Sequence, residues 1–427
     1  MKYSRPIGQR LVARLSEDPQ RIQILTGPRQ VGKTTLVHQL LASRPAPSSL
    51  YIAADEPQRP KPMANFPGDD GTVTVASTRS SFDGAWLIEQ WRSAAAAALA
   101  WHTSGFPNAA AQPFVFVIDE IQKVPRWSET IKGLWDNRIA NALPMQLLLL
   151  GSSPLLMQRG LSESLAGRYE VVPMGHWSFE EMNDAFGFTL QQYLYFGGFP
   201  GSAGYVHDEA RWRSYVVSSL VEPNIERDIL MMTRVDKPGL LKQLFEVGCG
   251  YSGQIVSLDK TLGQLRDAGN VTTLARYLEL LGQAGLLVGL HKYSDHELRR
   301  RKSPPKFQAL NNALVSAKGT HSFGDAQTDR SHWGRLVESA VGAHLVNTAE
   351  GETRIHYWRE SALEVDFVIE HRGKLVAVEV KSGKVHSQHR GLAEFARRHD
   401  GCATLQVGSN DLSVGEFLRY PTAHWVV

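Results

Sequence analysis

The chain has 427 residues, which is too long for one ordinary hydrophobic core, and we expect two or three domains. Hydrophobic residues make up 42% and charged residues 21%, a balance that excludes a disordered or fibrous chain. The net charge of +3 is mildly basic and by itself argues neither for nor against a nucleic-acid partner.

The first part of the chain alternates short apolar runs with helical segments. Strands are predicted at 21–26, 114–118 and 145–150, with a helix at 34–43. Uninterrupted apolar runs of this kind suit the central strands of a parallel sheet that is covered on both faces. A stretch rich in Pro, Gly and Asp at 57–71 predicts a surface loop.

The pattern changes to helices from about residue 179, with a sharp glycine-rich break at 197–201. Helices at 256–265 and 274–287, followed by apolar pieces around a basic turn, resemble a winged helix-turn-helix. The last block predicts one helix and then a series of strands. These strands are expected at 355–358, 364–369 and 375–380.

Cys249 and Cys402 are too few for a disulfide framework or a cysteine-rich metal site. The first residues lack the apolar core of a secretory signal, and no apolar stretch approaches the roughly 20 residues that span a bilayer. The sequence therefore predicts a cytoplasmic protein with no membrane partner.

Residues 27–34 satisfy the pattern G-x-x-x-x-G-K-[ST] between a predicted strand and a predicted helix. The glycines let the backbone wrap phosphates closely, and successive N–H groups form an anion nest at the helix N-terminus. Lys33 should reach the β- and γ-phosphates of ATP, and Thr34 should bind Mg²⁺. A chance glycine turn is the alternative. The predicted nucleotide-binding residues are Gly27, Pro28, Arg29, Gln30, Val31, Gly32, Lys33, Thr34 and Thr35.

A pair of acids follows the apolar run at 114–118. Asp119 is predicted to hold Mg²⁺, often through water, and Glu120 to polarise the attacking water. Two acids after a strand are also common as a solvated strand end. Because a P-loop needs such an acid on a neighbouring strand, the functional interpretation is favoured here.

Three strings, at 26–35, 119–127 and 151–168, together resemble the prokaryotic AAA+ ATP-binding proteins. The resemblance implies an α/β fold class with a P-loop AAA+ ATPase core built on a parallel sheet. A helical lid and winged-helix region would follow, and then a C-terminal α/β domain like that of restriction endonucleases. We predict domain bounds of 1–178, 179–238, 239–320 and 321–427.

The resemblance also implies roles for residues beyond the P-loop. Ser153 or Ser152 would be the first sensor, since it follows a strand beside the acid-bearing one; helix capping is the alternative. Pro200 is similar to a lid element that packs near the adenine, and residues 51–55 resemble the second strand of the family's core.

Arg168 would stabilise charge on the γ-phosphate, either within its own subunit or from a neighbouring one. The second arrangement implies a homo-oligomer. The alternative is an ordinary surface arginine paired with Glu170.

A basic cluster at 298–302, with Lys306 beyond it, would form the wing of the helix-turn-helix. Such residues can neutralise DNA phosphates, and each contact adds salt dependence to binding. A protein–protein or interdomain module with a solvated basic loop is the alternative. The rival to a DNA-coupled ATPase is therefore a regulatory ATP switch that binds protein partners and cuts no DNA.

The C-terminal block contains the D…E-x-K pattern of restriction-type endonucleases. Glu379 and Lys381 alternate on one strand and so point to the same side. Asp366 and Glu379 would bind Mg²⁺, Lys381 would position or activate water, and Glu338 on the preceding helix would assist the metal. The alternative is an exposed hairpin with alternating charges, and a nuclease-like fold need not cleave.

Overall fold

The computed structural model describes residues 3–54, 82–107, 109, 112–151, 164–230, 235–265, 270–294, 303–382 and 389–426. Several predicted features lie outside these residues: the loop at 57–71, both candidate sensors Ser152 and Ser153, and the basic cluster at 298–302. Within the described residues, no helix combines the length and apolar character that crossing a membrane requires.

A parallel five-stranded sheet forms the centre of the N-terminal part, as the apolar runs predict. Its strands are β1 (Ile22–Thr26), β2 (Ser49–Ala53), β3 (Phe114–Asp119), β4 (Met145–Gly151) and β5 (Tyr169–Pro173). They lie in the order β2-β3-β4-β1-β5. Since all five are parallel, their carboxyl ends meet at one edge of the sheet, where the loop after β1 and the acids after β3 are both located.

Helices cover both faces of this sheet, which explains why β3 and β4 are buried along their whole length. The helices are α1 (Ile7–Ser16), α2 (Lys33–Ala42), α3 (Gly84–His102) and α4 (Trp127–Ala140). Leu36 of α2 packs with Val117 on one face, and Trp91 of α3 packs with Phe116 on the other. Neighbouring residues of β3 thus serve two separate cores.

The middle of the chain is helical. Its α-helices are α5 (Phe179–Phe186), α6 (Leu190–Phe196), α7 (Glu209–Tyr215), α8 (Pro238–Gly250), α9 (Leu258–Gln264) and α10 (Val271–Gln283). The helix predicted at 274–287 ends earlier than expected. Gly285 adopts a left-handed φ of 75° just after α10, and Leu287 already begins a strand.

A six-stranded sheet follows, in the order β11-β10-β9-β8-β6-β7. Its strands are β6 (Leu287–Lys292), β7 (Lys306–Ala309), β8 (Arg354–Glu360), β9 (Leu363–His371), β10 (Lys374–Val380) and β11 (Ala403–Val407). The antiparallel pair β6–β7, predicted as a wing, joins this sheet because β6 runs parallel to β8. The sheet therefore continues across the domain boundary predicted at residue 320.

The helices of the C-terminal part complete the fold. They are α11 (Asn312–Lys318), α12 (Phe323–Thr328), α13 (Arg330–Thr348), α14 (Arg390–Arg398) and α15 (Val414–Phe417). One large hydrophobic cluster contains buried side chains of the middle helices, of α13 and of the second sheet. The middle and C-terminal parts thus share a core.

Candidate functional site

The glycine-rich loop joins β1 to α2 at the carboxyl edge of the parallel sheet. Gln30 and Gly32 adopt left-handed φ values of 62° and 91°, and Gly32 caps α2. Turns that mix backbone handedness in this way make concave N–H surfaces that bind anions. Pro28 and Val31 are buried, whereas Thr34 and Thr35 are exposed at the start of the helix. The strand–loop–helix arrangement required of a P-loop is present.

Gly27 cannot carry a side chain, because the main chain of residue 174 lies against it. A Cβ on Gly27 would stand 2.1 Å from the carbonyl oxygen of Met174. The two segments are joined by a hydrogen bond from Met174 N to Thr26 O of 2.7 Å. Packing against Met174 therefore requires a glycine at position 27, in addition to the expected requirement that the backbone approach a phosphate closely.

Lys33 lies inside the loop rather than extending into solvent. Its side chain is buried, and Nζ donates to the carbonyl oxygens of Gly27 and Pro28, each at 2.8 Å. These carbonyls hold the ammonium group among the backbone groups of the loop. The positive charge is thus fixed within the glycine-rich loop.

Asp119 is the central acceptor of the site. Its Oδ2 accepts hydrogen bonds from Thr34 Oγ1 at 2.7 Å and from Tyr51 Oη at 2.8 Å. Its Oδ1 accepts from the backbone N–H of Glu120 at 2.8 Å. The carboxylate is only 4% exposed, so these donors fix its position. The two residues predicted to bind Mg²⁺, Thr34 and Asp119, are therefore in direct contact.

Tyr51 is a residue of this site that the sequence reasoning missed. It was assigned only to a strand, but β2 lies beside β3, with Tyr51 opposite Val117 and Ala53 opposite Asp119. Its ring packs on His38, with a centroid distance of 4.5 Å. A tyrosine near the end of the strand that neighbours the acid-bearing strand was the available signal.

We expect Tyr51→Phe to weaken Mg²⁺ binding at the nucleotide site without abolishing ATP turnover. Half-maximal turnover should then require more Mg²⁺ than it does in the wild type. The change removes one donor to the Asp119 carboxylate, and a hydrogen bond to a charged group contributes about 1.5 kcal/mol, or roughly tenfold in an equilibrium constant. The measurement is the Mg²⁺ concentration that gives half-maximal turnover, with Tyr169→Phe at the edge strand β5 as the control. An unchanged Mg²⁺ requirement would show that the contact is incidental.

Glu120 leaves the strand in a left-handed conformation, with φ 52° and ψ 35°. Its half-buried side chain accepts a hydrogen bond at Oε2 from Gln122 Nε2, at 2.6 Å. Left-handed backbone at a non-glycine residue costs about 1–3 kcal/mol and is concentrated at functional sites. Gln122 is a second residue that the sequence reasoning did not single out.

Arg168 lies at the amino ends of the strands, opposite the carboxyl edge of the sheet where the P-loop is located. It is therefore far from the nucleotide site of its own subunit. Ile22 at the start of β1 pairs with Tyr169, and its N–H donates to the carbonyl oxygen of Arg168. From there β1 runs about 16 Å to the loop, at 3.3 Å per residue. The role within one subunit is therefore wrong, because the side chain cannot cover this distance. A role toward a neighbouring subunit is not affected.

The alternative interpretation of Arg168, as a surface arginine, named Glu170 as its partner, and this partner is wrong. The guanidinium group of Arg168 forms two hydrogen bonds with Asp136, at 2.7 and 3.1 Å. The hydrogen bond that Arg168 donates to the Asp136 carboxylate raises the pKa of Arg168 above its usual range. Glu170, the partner expected from the sequence, instead lies 3.3 Å from Arg14.

The helical region reaches the P-loop through several contacts. Trp177 Nε1 donates to Val31 O at 2.8 Å. The turn that begins at Pro200 also approaches, since a Cβ on Gly201 would stand 3.8 Å from Gln30 Oε1. The predicted lid element thus lies beside the loop.

The end of α10 touches the same loop. A Cβ on Gly285 would stand 2.2 Å from Cγ of Pro28, so only a glycine allows this approach. His176 Nε2 lies 2.7 Å from the carbonyl oxygen of Gly285, and its Nδ1 lies 3.2 Å from Asn311 Nδ2. Burial lowers the pKa of His176 to about 4, which keeps the ring neutral, with Nε2 donating. These contacts join the loop to the strands and helices behind it.

The second predicted site lies on the six-stranded sheet, and it contains a lysine that was assigned elsewhere. Lys306 was expected in a solvated wing, but its side chain is fully buried. Its Nζ lies 2.6 Å from Glu338 Oε1 and 3.8 Å from Asp366 Oδ1, and it donates to the carbonyl oxygen of Asp366 at 3.0 Å. Burial alone would lower the pKa of Lys306, but the Glu338 and Asp366 charges outweigh it and raise the pKa. Lys306 does lie on a strand of the predicted wing, but the expectation that it adds an exposed positive charge there is wrong.

Glu379 and Lys381 point to the same side of β10, and Lys381 Nζ donates to Glu379 Oε1. His389 Nε2, which the sequence reasoning missed, lies 3.1 Å from the same oxygen. Asp366 lies on the neighbouring strand and accepts at Oδ2 from the N–H of Val380 at 2.8 Å. Burial, with the Asp366 charge adding to it, raises the pKa of Glu379 to about 7. The four predicted residues are therefore gathered at one place.

The gathered residues do not fit the Mg²⁺ that the resemblance implies. The ammonium group of Lys306 forms an ion pair with Glu338 Oε1, and that of Lys381 forms an ion pair with Glu379 Oε1. Glu379 Oε2 is buried without a hydrogen bond in the described part of the chain, but a single buried oxygen does not by itself make a site for a hard divalent cation. Among the described residues, no group of three or more His, Cys, Asp or Glu side chains could hold a metal ion. The metal roles predicted for Glu338, Asp366 and Glu379 are not supported.

Known proteins match the chain in three consecutive segments. Residues 19–183 match the family described as an AAA domain. Residues 187–322 and 333–422 match two domains of unknown function, DUF8612 and DUF4143. The uncharacterized proteins Rv2008c of Mycobacterium tuberculosis and Mb2031c of Mycobacterium bovis are each 24% identical over 381 residues, which cover 87% of this chain and 72% of theirs.

Solved structures with a similar arrangement include the Walker-type ATPase PABY2304 of Pyrococcus abyssi. It is 15% identical, with a TM-score of 0.49, over 74% of this chain and 95% of that one. AMPPCP-bound DnaA from Aquifex aeolicus is 12% identical, with a TM-score of 0.25, over 64% of this chain and 77% of that one.

The AAA match contains both halves of the nucleotide site, the loop at 27–34 and the strand that ends in Asp119. The loop joins a strand to a helix, and the acid meets it at the carboxyl edge of a parallel sheet. Residues 19–183 therefore form an AAA domain with the P-loop and the neighbouring acid of an ATP hydrolase.

Proposed function

We propose that this ATPase is Mg²⁺-dependent and that its nucleotide state is communicated to a DNA-binding surface in the middle and C-terminal parts. The observation that carries the metal dependence is the 2.7 Å contact between the Thr34 hydroxyl and the Asp119 carboxylate. A hydroxyl beside a carboxylate, both at the mouth of an anion-binding loop, offers the hard oxygen ligands that Mg²⁺ prefers.

Different residues of the chain would bind the phosphates, hold the metal and activate the attacking water. Backbone N–H groups of the loop and Lys33 would bind the β- and γ-phosphates, while Thr34 and Asp119 would hold the metal. Mg²⁺, when bound, would neutralise phosphate charge. Glu120, turned out of the strand beside Asp119, would orient and polarise the attacking water.

Contacts of the P-loop support the proposed communication. Pro28 packs on Gly285 at the end of α10, and the His176–Asn311 pair joins Gly285 O to the start of α11. Asn311 Oδ1 also accepts from the N–H of Gly198 at 3.0 Å, so the lid turn shares this residue. A change in loop position at the γ-phosphate would therefore be felt at the lid, α10 and α11 together.

DNA is the proposed partner because a run of basic residues, 299–302, lies between β6 and β7 in the sequence. We expect a variant with Arg299, Arg300 and Arg301 all changed to Glu to lose DNA binding and any DNA stimulation of turnover. Each phosphate that is no longer neutralised should reduce the slope of log K against log salt by about 0.9. The measurement is DNA-binding anisotropy as a function of salt, beside ATP turnover with and without plasmid and single-stranded DNA.

A matched triple reversal at three exposed arginines, Arg372, Arg397 and Arg419, controls for net charge. The control should bind DNA nearly as well as the wild type. If the wild-type chain neither binds DNA nor changes its turnover when DNA is added, the DNA proposal fails.

A protein-directed regulatory switch is the second candidate, and one observation favours it. Lys306 is buried against Glu338, so it contributes no charge to a DNA-binding surface. The switch would use the same nucleotide site and the same contacts at Gly285. In the experiment above it predicts ATP turnover that is indifferent to DNA and to charge reversal at 299–301.

A homo-oligomer is proposed from the position of Arg168, away from its own nucleotide. Acting from one subunit on the ATP of the next, Arg168 would need to exchange Asp136 for phosphate oxygens. Gel filtration with and without ATP tests this proposal, and a strict monomer in both states removes it.

A further inference from the structure

The buried lysine in the acid cluster of the second sheet has no role in any function described above. Lys306 begins β7, and its fully buried ammonium group lies between α13 and β9. It contacts Glu338 from the helix and both the side chain and main chain of Asp366 from the strand. Its Nζ also lies 4.5 Å from the ring centroid of Phe367. Three separate elements therefore meet at one ammonium group.

A charge buried in this way requires a partner of opposite sign. An unpaired ammonium group in a protein interior is strongly destabilising, whereas a paired one with further hydrogen bonds is tolerated. Glu338 and Asp366, whose side chains are 23% and 15% exposed, supply that compensation. The acids and the lysine are consequently a matched set.

The same carboxylate oxygens cannot serve a lysine and a divalent metal at once. An ammonium group held 2.6 Å from Glu338 Oε1 and 3.8 Å from Asp366 Oδ1 would lie beside any cation bound there and repel it. On the other side of the cluster, Lys381 and His389 both approach Glu379 Oε1. Two lysine ammonium groups and the His389 imidazole thus lie where the metal would bind.

We propose that Lys306 is the resident cation of this cluster, which is a metal-independent ionic joint rather than a nuclease centre. This ionic joint connects the β6–β7 pair to α13 and β9. It therefore holds β6 and β7, the strands before and after the basic segment in the sequence, in the C-terminal sheet. It leaves the ATPase site untouched, and it predicts that the chain does not cut DNA at these residues.

The proposal is tested by titrating Mn²⁺ into the full-length chain without nucleotide and measuring the bound Mn²⁺ by electron paramagnetic resonance. The wild type should have no Mn²⁺ site that is lost in Glu338→Gln or Glu379→Gln. Lys306→Met, which removes the charge and keeps the length of the side chain, should gain a site that binds Mn²⁺ more than about tenfold more tightly than the wild type. That site should disappear again in the Lys306→Met, Glu338→Gln double variant.

Lys374→Met is the matched control, because Lys374 is an exposed lysine on β10 of the same sheet. It should gain no Mn²⁺ site. A folded Lys306→Met chain that gains none either would overturn the proposal, as would a wild-type Mn²⁺ site that depends on Glu338 or Glu379.

A second measurement keeps the test decisive if Lys306→Met does not fold. Wild-type chain incubated with supercoiled plasmid and either Mg²⁺ or Mn²⁺ should give no more nicking than the Glu379→Gln variant. Nicking that requires Glu379 and a divalent metal would overturn the proposal.

Discussion

Lys33→Ala is expected to lower ATP turnover by about 10²- to 10³-fold, the usual loss when one preorganised electrostatic group is removed from a reaction centre. The side chain is already buried in the loop, where Gly27 O and Pro28 O hold its ammonium group. We therefore expect little reorganisation of this group when charge develops on the phosphates. The measurement is steady-state phosphate release at saturating ATP and Mg²⁺.

Lys132→Ala provides the control for this variant. Lys132 is exposed on α4 in the same domain, and its removal should leave turnover unchanged. If Lys33→Ala retained wild-type turnover, the loop would not be the phosphate site, and the assignment of the ATPase centre would be wrong.

Glu120→Gln is expected to separate ATP binding from ATP hydrolysis. Glutamine keeps the size of the side chain, so nucleotide affinity should persist, whereas loss of the carboxylate base should lower turnover by about 10²- to 10⁴-fold. The left-handed backbone at Glu120 and its bond to Gln122 are unaffected by the change. Calorimetry of ATP binding and steady-state turnover, measured on the same preparation, give the two quantities.

Glu129→Gln is the matched control, since Glu129 is an exposed acid on α4 that pairs with Arg126. Its turnover should equal that of the wild type. A Glu120→Gln chain that hydrolysed ATP at the wild-type rate would assign the polarising role to a different residue.

The nucleotide site was predictable from the sequence because its information is local. The strand, the glycine-rich turn and the helix of residues 22–42 are consecutive, and each apolar run is bounded by polar residues. Asp119 was identified because a P-loop requires an acid on a neighbouring strand. Tyr51 was not, because its contact with Asp119 depends on which strands are neighbours, and strand order is set by the whole fold.

The errors concern residues whose neighbours in space are distant in sequence. Lys306 follows a basic run and was read as part of it, yet its partners Glu338 and Asp366 are 32 and 60 residues further along the chain. Arg168 follows the candidate sensor closely, but the register of β1 on β5 places it at the opposite sheet edge. Proximity along the chain was misleading in both cases.

The contact between Pro28 and Gly285 could not have been foreseen either. The two residues are 257 positions apart, and Gly285 falls within the helix that the sequence predicts at 274–287. Its function of letting the backbone approach the P-loop follows from packing between two parts of the chain. A glycine at a helix end can therefore serve to end the helix or to allow close packing of the backbone, and a sequence alone does not distinguish the two.

Binding of MgATP to the loop at residues 27–34 underlies every function proposed above, and titration calorimetry on the full-length chain measures it directly. We predict one nucleotide bound per chain, with affinity that rises when Mg²⁺ is added, and with that gain lost in Asp119→Asn. The absence of any binding by the wild type at millimolar ATP and Mg²⁺ would contradict the ATPase assignment.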